Sequence, residues 1–433
     1  MKINISQSSL NKLFILLLLY PSYAVGGIYF FYMDVVLKSV YFGLLILIAI
    51  YLKRFFKFDF LIVISAIGLI FLFQLLKFGK GTLYNFLGLI VVFGTPYLLL
   101  RLFKFKLIEY FIILVKIFAI ISLIFWVLVN LSDSFYQQSL YWPELFKTDK
   151  WINESYILFS TRDSRTVFNL IRNNGGFWEP GAYATTLIIT LIFNVLRGKN
   201  LKSRTNIILI LAVITTFSTS GWIGLFLIYL MHFNLKYPNS IAGLKNLKIQ
   251  RIFSLIAILI MIISFDFLGE KAFEQFTSAK EAELSQPTSG RFLGARKSIK
   301  GIINDPLFGK YIVQERENPE QLLRQEDLGM YGFFYLIQRI GIIGFCAFIL
   351  FIYKGFDVLF HYYNFHIKSK RSSFIMILIW LVIMFAQNLY WIPVSLFVFW
   401  IGIDASLKVY FMKNNYMYRI TRRIKQKYRI ASA

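Results

Sequence analysis

One cysteine, Cys346, stands in 433 residues. No intrachain disulfide can staple this chain, and nothing in it has the Cys/His spacing of a zinc site. Histidine is almost as scarce, with His232, His361 and His366 the full set. Charge is thin at 16% of residues, and acids are the thinner half, 22 against 47 Lys and Arg. Also missing are an internal repeat, a separate soluble domain and a small-residue cleavage site behind the first apolar run. That run, "LFILLLLYPSYAVGGIYFF", is longer than the apolar region of a signal peptide and reads as a retained first span.

What fills the space is apolar. Hydrophobic residues make up 58% of the chain and recur in runs of about 17 to 25 residues, the length that crosses a bilayer. The expectation is an all-α polytopic membrane protein, a single membrane domain over residues 1–433. The net charge of +25 would suit nucleic acid only if it were gathered on one accessible face. It is spread instead through loops between apolar runs, as a topology signal, so no nucleic-acid partner is expected.

Lys and Arg near helix ends resist translocation and mark cytoplasmic loops. Spans are predicted near 13–32, 35–52, 60–76, 82–100 and 107–131. Lys53/Arg54/Lys57 follow the second and Arg101/Lys104/Lys106 follow the fourth, which places the N-terminus inside. Residues 132–178 then form a first large outer loop, and span six, about 179–196, returns to the acid-free "RGKNLKSR". The 29-residue run 205–233 has basic loops at both ends, so it should be two short passes turning at Thr219, Ser220 and Gly221. A ninth span is predicted near 252–268 and a tenth near 330–353. Residues 373–411 should be a hairpin turning near "QNLYWIP". The count is about twelve helices with both ends in the cytoplasm.

Residues 269–328 form the second large outer loop. It holds ten acids and nine Lys/Arg, unlike the basic cytoplasmic loops. Apolar and charged residues alternate at spacings of three and four in "KAFEQFTSAKEAEL" and "RFLGARKSIKGII", which predicts two amphipathic helices. The basic tail, 412–433, fits an anchor on anionic membrane lipids better than a specific partner's docking site.

Chemistry gathers in the outer loops. "RNNGGFWEPGAYA" runs from Arg172 through two glycines to Glu179 and Pro180 at the mouth of span six. Glu179 is either a helix cap facing the positive dipole end or a functional carboxylate; Arg172 is either an interfacial anchor that snorkels to headgroups or an anion ligand. In the second loop Arg291, Arg296, Lys297 and Lys300 stand in a stretch with no acid from 284 to 304. An acid-free cationic cluster is suited to phosphate oxygens, for which guanidinium is a planar, bidentate donor. Arg339, about ten residues into the tenth span, is a charge that should face a cavity or a partner such as Glu179.

In order, "RNNGGFWEPGAYA", "TTFSTSGWIG", "SGR" followed by "DPLFGK", and "YGFFYLIQRIGIIGF" resemble the O-antigen polymerase and ligase superfamily (Wzy/WaaL-like), over roughly residues 165–350 by motif and the whole chain by topology. The resemblance implies a C-type glycosyltransferase fold and a metal-independent enzyme without cofactor at the outer face of the bacterial inner membrane. Its substrates would be undecaprenyl-pyrophosphate-linked oligosaccharides, with a chain-length regulator as partner. It further implies that Arg172 and Arg291 hold the pyrophosphate and that Glu179 orients an arginine or the acceptor; Arg296, by its place in the cationic cluster, and Arg339, by its depth in the outer half of a span, are read as substrate-binding beside them. Arg165 and Gly176 match an Arg-x10-Gly spacing of such outer loops. Ligases of the superfamily carry a histidine in the large outer loop. This chain has none between 269 and 330, which favours the polymerase, with Glu326 or Asp327 as substitutes or simply as caps of the next helix. A flippase of lipid-linked oligosaccharides is the alternative class, but it should show two related halves and short outer loops.

Overall fold

Long runs of Leu, Ile, Phe and Val leave the backbone one economical answer in an apolar surround, the helix, which satisfies its hydrogen bonds within its own segment. The computed structural model describes residues 7–24, 35–54, 56–78, 83–141, 159, 166–167, 170–177, 179–236, 291–309, 332–363, 369–385 and 393–407, and these are mostly helical. In chain order the helices are α1 (Gln7–Ala24), α2 (Val35–Tyr51), α3 (Phe58–Phe78), α4 (Leu83–Phe103), α5 (Lys106–Leu131) and α6 (Asp133–Tyr141). A two-stranded hairpin, β1 (Thr166–Val167) and β2 (Leu170–Ile171), precedes α7 (Pro180–Leu196), α8 (Arg204–Thr215) and α9 (Thr219–Lys236). Then come α10 (Arg291–Asn304), α11 (Gly332–Tyr362), α12 (Ser369–Phe385) and α13 (Pro393–Leu407).

Among the described residues, four helices are long and apolar enough to cross a bilayer: Phe58–Phe78, Phe86–Phe103, Lys106–Leu131 and Phe334–Tyr362. Their outward sides are apolar. On α3, Leu61, Leu69, Leu72 and Leu76 are exposed, and on α5, Ile113, Ile117, Ile120, Ile124 and Leu131. Surfaces of this extent are rare on water-soluble monomers and suit a lipid surround.

The interior is organised around α7, in which every residue from Pro180 to Leu196 is buried. Its polar side chains are satisfied locally: Thr185, Thr186 and Thr190 donate to carbonyls one turn back. Asn194 reaches across to Asn206 of α8 at 2.7 Å. α5, α8, α9 and α12 pack around it.

Three basic loops meet at one end of the bundle. Arg54 donates from Nη1 to the carbonyls of Leu102 and Arg101, Arg197 pairs with Glu109 at 3.2 Å, and Phe105 stacks on Tyr362 at 4.0 Å. The loops after α2, α4 and α7 therefore share one side, as their charges predict.

Some boundaries differ from expectation, among them the end of α11 at Tyr362, nine residues past the predicted 353. α1 starts six residues before the predicted span, at Gln7. The α8–α9 break falls at Thr216–Ser218 rather than Thr219–Gly221. There Thr215 and Thr216 donate their hydroxyls back to Ala212 and Val213, and Phe217 takes a positive φ of 46°. Ser218 Oγ accepts from Gly221 N, so the small residues start α9 instead of breaking the chain. The predicted ninth span, the turn at 387–392, the segment 271–284 and the tail 412–433 lie outside the described residues.

Candidate functional site

The stretch that opens α7 is held deep in the fold by bonds to α5 and to the end of α8. The hairpin edge is fixed first: Trp126 Nε1 donates to the Ile171 carbonyl at 2.6 Å, and Asn130 Oδ1 accepts from Ile171 N at 2.7 Å. The next residue, Arg172, is 7% exposed. Its Nε donates to the Thr216 carbonyl at 3.0 Å and its Nη2 to the Phe217 carbonyl at 3.2 Å. These are the carbonyls left over where α8 ends, and a cation there also meets the negative end of the helix dipole. The snorkelling anchor is thus replaced by a buried C-terminal cap.

Asn173 continues the clasp. Its backbone N–H bonds to the Thr215 carbonyl at 2.9 Å, while Nδ2 reaches Thr215 Oγ1 at 2.9 Å and Ser122 Oγ at 3.4 Å. Its Oδ1 accepts from Gly175 N at 2.9 Å. Ser122 in turn is 2.7 Å from the Tyr183 hydroxyl. Gly175 has φ +53°, and a Cβ there would lie 2.8 Å from the Tyr183 ring, so the chain passes under that ring only as glycine. Asn174 is 0% exposed, and among the described residues neither its Nδ2 nor its Oδ1 has a hydrogen-bond partner. Such a group costs about 1–3 kcal/mol unless something polar completes it.

Glu179 occupies the N-cap position of α7 with extended backbone (φ −152°, ψ 155°), and Pro180 follows at the first helical position. Its carboxylate makes no capping bond to the first turn. The capping alternative for the side chain therefore falls away, although the backbone is where that reading placed it.

A second frame is built around Arg339. This residue is 8% exposed, donates from Nη2 to the Tyr335 hydroxyl, and lies over the Tyr335 ring at 4.4 Å. Two residues on, Gly341 (φ 71°, ψ 173°) breaks α11. The segment "DPLFG", 305–309, docks into the break: Ile342 N bonds to the Pro306 carbonyl at 2.8 Å and Ile343 N to the Leu307 carbonyl at 3.4 Å. Gln74 of α3 donates to the carbonyls of Phe308 and Arg339, both at 2.8 Å, and Lys77 pairs with Asp305. Since 305–309 ends α10, the basic helix that begins at Arg291 and contains Arg296 is anchored against α11 beside Arg339.

Both frames lie at the end of the bundle opposite the basic loops, because Trp126 and Asn130 end α5, and Gln74 and Lys77 end α3. His361 lies beside Tyr362 at the other end. Arg165, Glu326 and Asp327 lie outside the described residues, as do Trp178 and most of the second outer loop. Two framing residues, Tyr335 and Gln74, were not singled out from the sequence, and Asn173 and Asn174 stood out there only as the two asparagines of "RNNGG", without a role. Of the first two, only Gln74 left a local signal, as a lone amide inside the apolar run "LIFLFQLLKF".

Comparison with protein-family models, with curated proteins and with solved structures finds no match.

Proposed function

We propose that this chain is a membrane-embedded glycosyltransferase that polymerises lipid-linked oligosaccharide repeat units, with its site on the outer face of a bacterial cytoplasmic membrane and O-antigen or capsule as its product. The observation that carries the reading is the placement of two arginine-bearing frames. A buried Arg172–Asn174 turn stands at the mouth of α7, and an acid-free basic helix is anchored beside Arg339, at the same end of an apolar bundle. Positive loops gathered at the opposite end favour that end as cytoplasmic and the site end as outer.

The chemistry fits this location. A polyprenyl carrier keeps its tail in lipid and its pyrophosphate at the boundary, so cations are needed at that depth and nowhere deeper. In the transfer, an acceptor hydroxyl oxygen bonds to the anomeric carbon while the bond from that carbon to the pyrophosphate oxygen breaks. The leaving group departs with the electron pair, and the hydroxyl proton passes to Glu179 or to solvent. Negative charge grows on the pyrophosphate, and Arg291, Arg296 and Arg339 are the residues to stabilise it, since fixed donors aimed at developing charge lower the barrier without reorganising. Arg172 contributes by holding the turn that sets Glu179, because two of its N–H groups already serve the end of α8.

The test is turnover of a synthetic undecaprenyl-pyrophosphate-linked repeat unit by purified protein in detergent with EDTA present. A ladder of lengthened lipid-linked glycans is expected from the native chain. Arg291→Ala and Arg339→Ala should each lower its rate by about 100-fold, the order seen when a donor to developing charge is removed. Absence of a ladder, with intact substrate crossing proteoliposome membranes instead, would replace this reading by a transporter.

A further inference from the structure

The break in α11 exchanges hydrogen-bond partners across three chain segments. In an unbroken helix Ile342 N would bond to the Gln338 carbonyl and Ile343 N to the Arg339 carbonyl. Here those two N–H groups bond to Pro306 and Leu307 of the outer-loop segment instead. The displaced Arg339 carbonyl is taken by Gln74 from α3, whose other amide hydrogen goes to the Phe308 carbonyl at the same distance, 2.8 Å. A primary amide has two donors, and Gln74 places one on each side of the junction.

The fit depends on two glycines packed backbone to backbone. A Cβ at Gly309 (φ +69°) would lie 2.6 Å from the Gln338 carbonyl and from Gly341 N. A Cβ at Gly341 would overlap the Leu307 carbonyl. Gln74 itself is 3% exposed within the apolar run of its helix, where an amide is costly unless its hydrogens are used.

We infer that Gln74 is a positioning residue. It clips the end of the second outer loop to the broken helix and thereby fixes the basic helix α10 in register with Arg339. This rests on the polymerase reading for its consequence, since the groups it aligns are those proposed to hold the pyrophosphate. It does not rest on that reading for its geometry.

The geometric arm uses the full chain with Cys346→Ser and spin labels at Ile303→Cys in α10 and Leu131→Cys at the end of α5, both exposed. Pulsed electron double resonance in nanodiscs should give one narrow distance in this background. Gln74→Leu should broaden it. Gly309→Ala disturbs the same junction from the loop side, away from the helix core, and should broaden it too. It stands in if Gln74→Leu fails to fold. A narrow, unshifted distance in the folded variant would overturn the clip.

The functional arm measures ladder formation. Gln74→Leu is expected to lower kcat by about tenfold with KM changed less than twofold, because misplacing groups that act in the transition state costs rate more than binding. A change confined to KM, or none at all, would overturn the positioning role. If the native chain makes no ladder, the polymerase reading fails while the distance measurement still decides whether Gln74 holds α10.

Discussion

Arg172 illustrates why the meaning of a charged residue is fixed by partners far away in sequence. From "RNNGG" alone it is a cation near a membrane surface. In the fold it closes the end of α8 through carbonyls 44 and 45 positions on. Hydrogen bonds from a charged donor contribute about 1.5–3 kcal/mol each. Arg172→Ala should therefore destabilise the protein by about 3 kcal/mol, and Arg172→Lys by roughly half of that, since lysine keeps the charge but not the fork geometry. Thermal unfolding in one detergent, read by intrinsic fluorescence, ranks the three proteins. An alanine variant that melts with the native chain would mean the cap is dispensable and Arg172 is available for substrate. Gly175→Ala joins the same series. Its left-handed backbone adds about 1–2 kcal/mol of strain for a residue with a Cβ, before any displacement of the Tyr183 ring.

Elements were more legible than the contacts between them. Composition and the length of apolar runs locate α2 to α5, α7 and the α8–α9 pair to within a few residues, because a bilayer-length helix is specified by a single local property. The α8–α9 turn was misplaced by three residues because serine, threonine and glycine can equally start a helix, and Ser218 does so here. The break in α11 left little local trace: Gly341 stands in a helix-compatible run, and only the docking of 305–309 makes its backbone conformation useful. Glycines also set how closely helices approach. A Cβ at Gly355 of α11 would overlap the Val398 carbonyl of α13, and one at Gly402 of α13 the Phe351 carbonyl of α11. Small residues that let backbones touch are a main source of helix association in lipid. Gly402→Ala should accordingly lower the melting temperature by several degrees, whereas Gly43→Ala in α2, with nothing within 4 Å of the added carbon, should raise it slightly through better helix propensity, about 0.5–1 kcal/mol. If both substitutions behave alike, propensity and not close packing governs these helices.

At the scale of the molecule, the distribution of charge is the feature the sequence conveys best, and it has a consequence for every residue of the proposed site. Arg54, Lys104, Arg197 and Lys199, with Arg101 in the last turn of α4, stand at junctions that the fold draws to one end, where Glu109 is paired with Arg197. Translocating that end would carry several cations across the bilayer, and the positive-inside bias opposes it. On the proposed reading, the opposite end, with Leu131, Ile303 and the two arginine frames, would then face outward. Single cysteines in the Cys346→Ser background test this with a membrane-impermeant maleimide on intact cells. Leu131→Cys and Ile303→Cys, at positions exposed by 81% and 72%, should label at once. Lys104→Cys and Lys199→Cys, exposed on the basic end, should label only after the membrane is opened. The reverse pattern would place Arg172, Glu179 and Arg339 on the cytoplasmic side, and the polymerase reading, which needs them on the outer face, would fall with the orientation.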